Sequence, residues 1–291
     1  KYRKGKNMIL VTDCAADLPK AEATDLDIVV APLYIQFPEG EVSSNDLTPD
    51  EFYDRLKEMH PRIPSTAQPS PGTFQEIYHK LAESGRDILS IHISSGLSGT
   101  INSARMGAEK ITKSVVHLFD SLTLSGGTRF QVLAAAQAIK AGWPIEAIQE
   151  RLGLLREHSE VIYTLDTLEY LARGGRIGRV QALAGMLLHL KPVINVDHSD
   201  GKYNTVGKAR TIGKALDTIA YNLFQKYQNK SVWVTVLHGQ FSEQADALAR
   251  LLQERLKVAK LEVMRISPVL GVHTGPGIVG AAVTPIELMS F

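Results

Sequence analysis

Short apolar runs of strand length alternate with longer helical stretches along this chain, and that alternation limits the fold more than any other feature. Met8–Thr12, Ile88–Ile93 and Val115–Phe119 are apolar runs too short to be helices. Between them lie helical stretches. In Thr48–Met59, Thr48 reads as the cap, Pro49 as the first helical position, and Asp50 and Glu51 suit the first turn. Phe74–Ala82, Ile101–Ile111, Gly127–Ala141 and Pro144–His158 also read as helices. Strands separated by helices imply a mostly parallel sheet covered on both faces. Ile28–Ile35 is a further apolar run, and Pro32 inside it argues for an edge or a bend. Pro61–Pro71 holds four prolines and is expected to be an irregular loop.

The second half has a different texture. Val161–Leu165 reads as a strand, Thr167–Leu171 as a short helix and Val180–His189 as an apolar helix. Pro192–Val196 and Lys202–Val206 flank a polar turn at Ser199-Asp200-Gly201, which predicts an antiparallel pair. Helices are expected over Thr211–Tyr227 and Ser242–Lys257, and strands over Val232–Leu237 and Leu261–Ile266. Gly271–Gly280 reads as a glycine-rich loop before a final strand. The expected architecture is therefore α/β in two domains. Residues 8–160 form a Rossmann-like, mostly parallel sheet with helices on both faces, and residues 161–291 form an α/β domain with a mixed sheet.

Composition fits that reading. A chain of 291 residues with 44% hydrophobic content can fill two cores, and 22% charged residues sits near the globular average. The net charge of +1 gives no reason to invoke nucleic acid, so any basic surface must be local. Cys14 is the one cysteine, which excludes an intrachain disulfide and suits a cytoplasmic protein. No apolar run is long enough to span a bilayer. Lys1–Asn7 reads as an upstream extension to a natural start at Met8.

Four loops are rich in groups that bind anions. Ser65-Thr66-Ala67-Gln68-Pro69-Ser70 offers hydroxyls and an amide on a backbone stiffened by prolines. Ser94-Ser95-Gly96-Leu97-Ser98-Gly99-Thr100 follows a strand and opens a helix, where free amides form a natural anion site. It lacks the terminal Gly-Lys-Ser/Thr of a P-loop and the last glycine of a nucleophile elbow. Arg173-Gly174-Gly175-Arg176 places two cations on a pliable backbone. In Gly271-Val272-His273-Thr274-Gly275-Pro276-Gly277, a histidine sits where it can donate to an anion or move a proton near neutral pH. Each loop also has an ordinary reading as a cap, a solvated turn or a structural histidine. Asp13 and Asp120 each end a strand, where such residues more often cap the next element. Cys14 has no evident activating base, and no histidine pair has metal-ligand spacing.

Taken in order, these segments resemble the DegV family, the fatty-acid-binding B component of bacterial fatty acid kinase. The similarity runs from Val11-Thr12-Asp13 and Ala16-Asp17-Leu18-Pro19 through the first three loops. It continues to Lys208-Ala209-Arg210-Thr211 and His273-Thr274-Gly275-Pro276-Gly277. One departure is visible: Cys14 stands where the family usually has serine. The resemblance implies a long-chain fatty acid held between the two domains, its chain in an apolar tunnel. Thr66, Ser94, Ser95 and His273, with Thr274 beside it, would surround the carboxylate. Arg173, Arg176 and Arg210 would form a basic surface where the ATP-dependent catalytic subunit of fatty acid kinase docks. The chain itself would be a carrier rather than an enzyme, with no cofactor beyond the bound acid, and transient contact with a membrane surface is compatible with that role. Residues put forward for the tunnel are Leu183, Met186, Leu187, Ile162, Leu165 and Leu270. The rival reading is a Rossmann-like hydrolase or phosphotransferase acting on an anionic small molecule through Asp13, Asp120 and His273.

Overall fold

The computed structural model describes residues 8–181 and 190–291. The chain opens with β1 (Ile9–Asp13), α1 (Lys20–Asp25) and β2 (Ile28–Ala31). It continues through β3 (Tyr34–Phe37), β4 (Gly40–Ser43), α2 (Pro49–Met59), β5 (Ser65–Ala67) and α3 (Pro71–Ala82). Next come β6 (Ile88–His92), α4 (Thr100–Ala108), β7 (Val116–Asp120), α5 (Ser125–Lys140) and α6 (Ile145–His158). Then follow β8 (Glu160–Leu165), α7 (Glu169–Arg173), β9 (Lys191–Val196), β10 (Tyr203–Ala209) and α8 (Ile212–Tyr227). The chain closes with β11 (Ser231–His238), α9 (Ser242–Arg255), β12 (Lys257–Arg265), α10 (Pro268–Thr274) and β13 (Ile278–Pro285).

The first sheet is parallel, in the order β2-β1-β6-β7, and the second is mixed, in the order β10-β9-β8-β13-β11-β12. The fold is thus α/β with one parallel and one mixed sheet. The β9–β10 hairpin pairs antiparallel, as its polar turn predicts, and so do β8 and β13. A third, antiparallel sheet, β4-β3-β5, was not expected. It bears out one reading, the edge or bend at Pro32, and corrects another. Pro32 splits the Ile28–Ile35 run, so that β2 joins the first sheet and β3 turns away into the small one. The proline-rich loop is not wholly irregular: Ser65–Ala67, between Pro64 and Pro69, keeps free amides and pairs with β3 through Ile35 and Thr66.

Local chemistry explains most element ends. At α2 the Thr48 side chain accepts from the Glu51 amide, the Glu51 carboxylate accepts from the Thr48 amide, and Pro49 needs no amide partner. Another expectation needs correction at Gly271–Gly280. Pro268 starts a helical turn and Gly275, at φ 73°, ends it, so His273 lies on α10 rather than on an open loop.

Helix α5 is buried on nearly all sides, because it packs on β1 and β6 of the first sheet and on β8 and β13 of the second. It also carries the strongest polar tie between the layers. Arg129, only 3% exposed, donates from Nε and Nη2 to Glu22 of α1 at 2.7 and 2.8 Å, and from Nη1 to Glu262 of β12 at 2.9 Å. Trp233 donates to the same Glu262 carboxylate at 3.1 Å. Removing one member of such a network leaves buried charge uncompensated. Arg129→Ala is therefore expected to cost about 3 kcal/mol, read as a lower midpoint in urea unfolding.

Candidate functional site

Two elements distant in sequence bring the central pair together. β5 supplies Thr66, the last turn of α10 supplies His273, and Thr66 Oγ1 lies 2.8 Å from His273 Nε2. The ring is 8% exposed. Burial, helped by the positive charge of Arg176, pushes His273 down to about 4, so the imidazole is neutral at physiological pH. Its Nδ1 is buried without a partner among the described residues. The turn after α7 closes on this ring: a Cβ at Gly174 would collide with Nδ1, and one at Gly275 would collide with the Tyr170 ring. Glycine at both positions allows α7 and α10 to meet at backbone distance.

The serine-rich loop between β6 and α4 is largely satisfied by its own surroundings. Ser94 Oγ donates to the Gly201 carbonyl at 2.8 Å and accepts from the Gly96 amide at 3.0 Å. Ser95 is exposed, and its amide donates to Asp120 at 3.2 Å. Gly96 and Gly201 let this loop press against the β9–β10 turn, since a side chain at either would collide with backbone or with Ser94. A cleft of about 590 Å³ runs beside the contact, lined by Gly96, Leu97, Gly175, Arg176, Arg179 and Lys202 among others. Arg176 thus faces the serine-rich loop, and its guanidinium also donates to the Gly174 carbonyl. Arg173 turns elsewhere, to the Pro61 carbonyl and to Glu169 at 3.2 Å, and Arg210 is exposed beyond the end of β10. Neither lines the cleft.

A narrow cavity of about 20 Å³, little more than one water molecule occupies, lies along α10, and its open surface is apolar. Thr274 and Leu270 form one wall, Ile266 and Leu237 continue it, and Tyr163 and Ile162 come from β8. The Thr274 hydroxyl is occupied by the Leu270 carbonyl at 3.1 Å. Of the residues put forward for a tunnel, Ile162 and Leu270 line this space and Leu165 belongs to the surrounding core. Leu183, Met186 and Leu187 lie outside the described residues.

Of the groups that could serve an enzyme, Asp13 is sealed in the core. Asp13, fully buried, accepts from the Ala15 and Ile93 amides at 3.0 Å each and contacts His92 Nδ1 at 2.9 Å. His92 Nε2 meets Ser90 at 2.8 Å, and Ser90 meets the Tyr78 hydroxyl at 2.8 Å. This is the Asp–His–Ser order of a hydrolase, but Asp13, His92, Ser90 and Tyr78 are all 0% exposed. Sequence reading missed His92. The signal exists: Ser90 and His92 share one face of β6, and the β1–β6 register sets Val11 opposite Ser90, which brings Asp13 opposite His92. It is legible only once β1 and β6 are known to be neighbours. Asp120 caps the Leu122 amide at 3.0 Å, and burial pushes the Cys14 thiol up to about 12, so it is a poor nucleophile. Among the described residues no three His, Cys, Asp or Glu side chains converge as a metal site.

Two outcomes follow from this geometry. Ser90→Ala strands buried polar partners and should cost roughly 1–3 kcal/mol in thermal or urea unfolding. His273, depressed from 6.5 to about 4 on folding, contributes stability that is complete above about pH 6.5 and is lost as pH falls towards 4, up to about 3 kcal/mol. Asp17 opposes it over part of that range: burial raises it to about 6, so its cost to the fold disappears on acidification. The His273 contribution is therefore read as the difference between wild type and His273→Gln in unfolding series from pH 7.5 to pH 4.5.

Residues 7–285 match the family profile described as an uncharacterised DegV family protein. A DegV domain-containing protein of Clostridium perfringens is 35% identical over 280 residues, covering 96% of this chain and 98% of the relative. Among solved structures, a fatty-acid-binding DegV family protein from Thermus thermophilus superposes with a TM-score of 0.89 at 33% identity, covering 96% of this chain and 99% of the other. DegV of Bacillus subtilis, described as a fatty acid binding protein, gives 0.86 at 30% identity over the same shares. A stearic acid-binding protein from Eubacterium ventriosum gives 0.87 at 25% identity, covering 96% and 98%. On a match that spans nearly its whole length, the chain belongs to the DegV family.

Proposed function

We propose that this chain binds a long-chain fatty acid and presents its carboxylate to an ATP-dependent kinase partner, without itself being an enzyme. The observation that carries the reading is a juxtaposition. An apolar cavity follows α10, and the C-terminal turn of that same helix holds a neutral histidine against a threonine hydroxyl. The fatty-acid binding described for the relatives from Thermus thermophilus and Bacillus subtilis supports the same ligand class.

Energetics favour the tail as the source of affinity. About fourteen methylenes gain on the order of 11 kcal/mol gross on burial, and lost motion offsets several of those. The cavity is narrow, so a chain entering it must part Leu237, Ile266 and Leu270, which lowers the net gain further. The head group then fixes orientation. A carboxylate leaving water needs donors, and Thr66 on β5 and His273 on α10 would supply them. Neutral donors leave a carboxylate oxygen free to attack the γ-phosphorus of ATP held by the partner. ADP departs and an acyl phosphate remains.

Arg176 and Lys202 give the cleft a basic rim, Arg179 beside them is paired with Asp197 and Asp200, and Arg173 and Arg210 are exposed beyond it. These cations suit an acidic or phosphate-bearing partner surface, and also brief contact with anionic lipid. A cytoplasmic setting follows from dependence on ATP. No helix among the described residues is long and apolar enough to cross a membrane.

Solvent extraction of the purified protein followed by mass spectrometry should release a near-stoichiometric long-chain fatty acid. A protein that carries none, and takes up neither palmitate nor oleate, would sink the lipid reading. For the head group, His273→Ala should retain bound lipid yet lose most partner-dependent acyl-phosphate formation. Full phosphorylation in that variant would remove His273 from the carboxylate's surroundings.

A further inference from the structure

The acyl cavity and a second, separate space lie back to back at the N-terminal end of α10. The second is an open groove of about 720 Å³ bounded by α1, β2 and the segment entering α2, with Leu18, Val30, Leu47 and Met264 among its walls. Neighbouring residues divide between the two linings. Ile266 and Leu270 line the cavity, whereas Met264, Ser267 and Pro268 line the groove. A polar contact joins the two linings. Ser125 lines the cavity, Asp17 lines the groove, and the Ser125 hydroxyl donates to Asp17 Oδ2 at 2.5 Å. The Ser267 amide donates to Asp17 Oδ1 at 2.9 Å, which ties the carboxyl to the start of α10.

Several features set this contact apart from ordinary packing. Asp17 is 7% exposed between two spaces with largely apolar walls. Both partners hold left-handed backbone, Asp17 at φ 51° and Ser125 at φ 52°, a region that residues other than glycine seldom occupy and that the surroundings must enforce. Burial raises the acid to about 6 even though Ser125 and Ser267 both pull it down. An apolar residue here would be easier to bury and would meet an alkyl chain without cost.

We propose that Asp17, held by Ser125 and the Ser267 amide, is the stop at the far end of the acyl cavity and sets the longest chain the protein accepts. The proposal rests on the fatty-acid reading. His273 and this stop sit at opposite ends of α10, so the head group and the limit on length are registered by the same helix. Carbons added before the stop each improve affinity roughly fourfold through burial. Carbons beyond it meet a hydrogen-bonded carboxyl and gain nothing. Removing the stop joins the cavity to the groove, where Leu18, Val30, Leu47 and Met264 can receive the extra length.

The test is a series of saturated fatty acids of increasing length, titrated into delipidated protein. Wild type should gain affinity with each carbon up to a cut-off. Asp17→Ala should move the cut-off several carbons longer, with about fourfold per added carbon, while the isosteric Asp17→Asn should keep the wild-type limit. Ser125→Gly provides a second opening that does not disturb the α10 anchor, because glycine suits the backbone at φ 52°. It decides the matter if Asp17→Ala fails to fold. A folded Asp17→Ala or Ser125→Gly protein with the wild-type cut-off overturns the proposal. Failure of wild type to bind any member of the series overturns the fatty-acid reading instead, so the two failures are distinguishable.

Discussion

All seven residues of α10 are buried, and the arrangement of the molecule turns on how so short a helix is held there. A helix of this length has no stability of its own in water. It persists because neighbours approach at backbone distance: Gly271 lies against Tyr53 and Phe52 of α2, Gly275 against Tyr170 of α7, and Gly174 against the His273 ring. The small β4-β3-β5 sheet and α2 cover one side, and the apolar cavity lies along another. The position of α10 thus depends on three glycines and a layer of aromatic rings. Everything assigned to the site, from the Thr66–His273 pair to Asp17, is measured from that helix.

Much of this was legible in the chain. The parallel sheet followed from short, mostly apolar runs such as Ile88–Ile93 and Val115–Phe119 set between helical stretches, and the β9–β10 hairpin from its Asp-Gly turn. The capping chemistry at Thr48 and Pro49 located α2 almost to the residue. What escaped was set by pairing rather than local preference. Ser65–Ala67 becomes a strand only because β3 offers it a ladder, and no three-residue segment announces that in advance. Gly271–Gly280 looked like a loop because its glycines outweigh Val269, Leu270 and Val272, whose burial decides for a helix. His92 was overlooked because the carboxylate it meets, Asp13, comes from β1, far away in sequence.

The anion loops divide in the same way. Thr66 and His273, drawn from two of them, do meet. Ser94 turns its hydroxyl to the hairpin carbonyl at Gly201, and Ser95 faces solvent. Loop composition advertised hydrogen-bonding capacity correctly but could not say which groups were already occupied. The basic residues show this most clearly. Arg173 and Arg176 are near neighbours in sequence, yet one reaches Pro61 and Glu169 while the other faces the cleft.

Helix α5 belongs to both large sheets at once, with β1 and β6 on one side and β8 and β13 on the other. A gene fragment ending near residue 158 would leave the apolar flank of that helix bare, and a fragment starting at residue 160 would lack the cover for β8 and β13. Neither half has the makings of an autonomous folding unit. The halves should melt in a single cooperative transition, and domain-shuffling experiments within the family would need to carry α5 with matched partners on both faces. Separating the two sheets would expose a helix that is buried on nearly all sides.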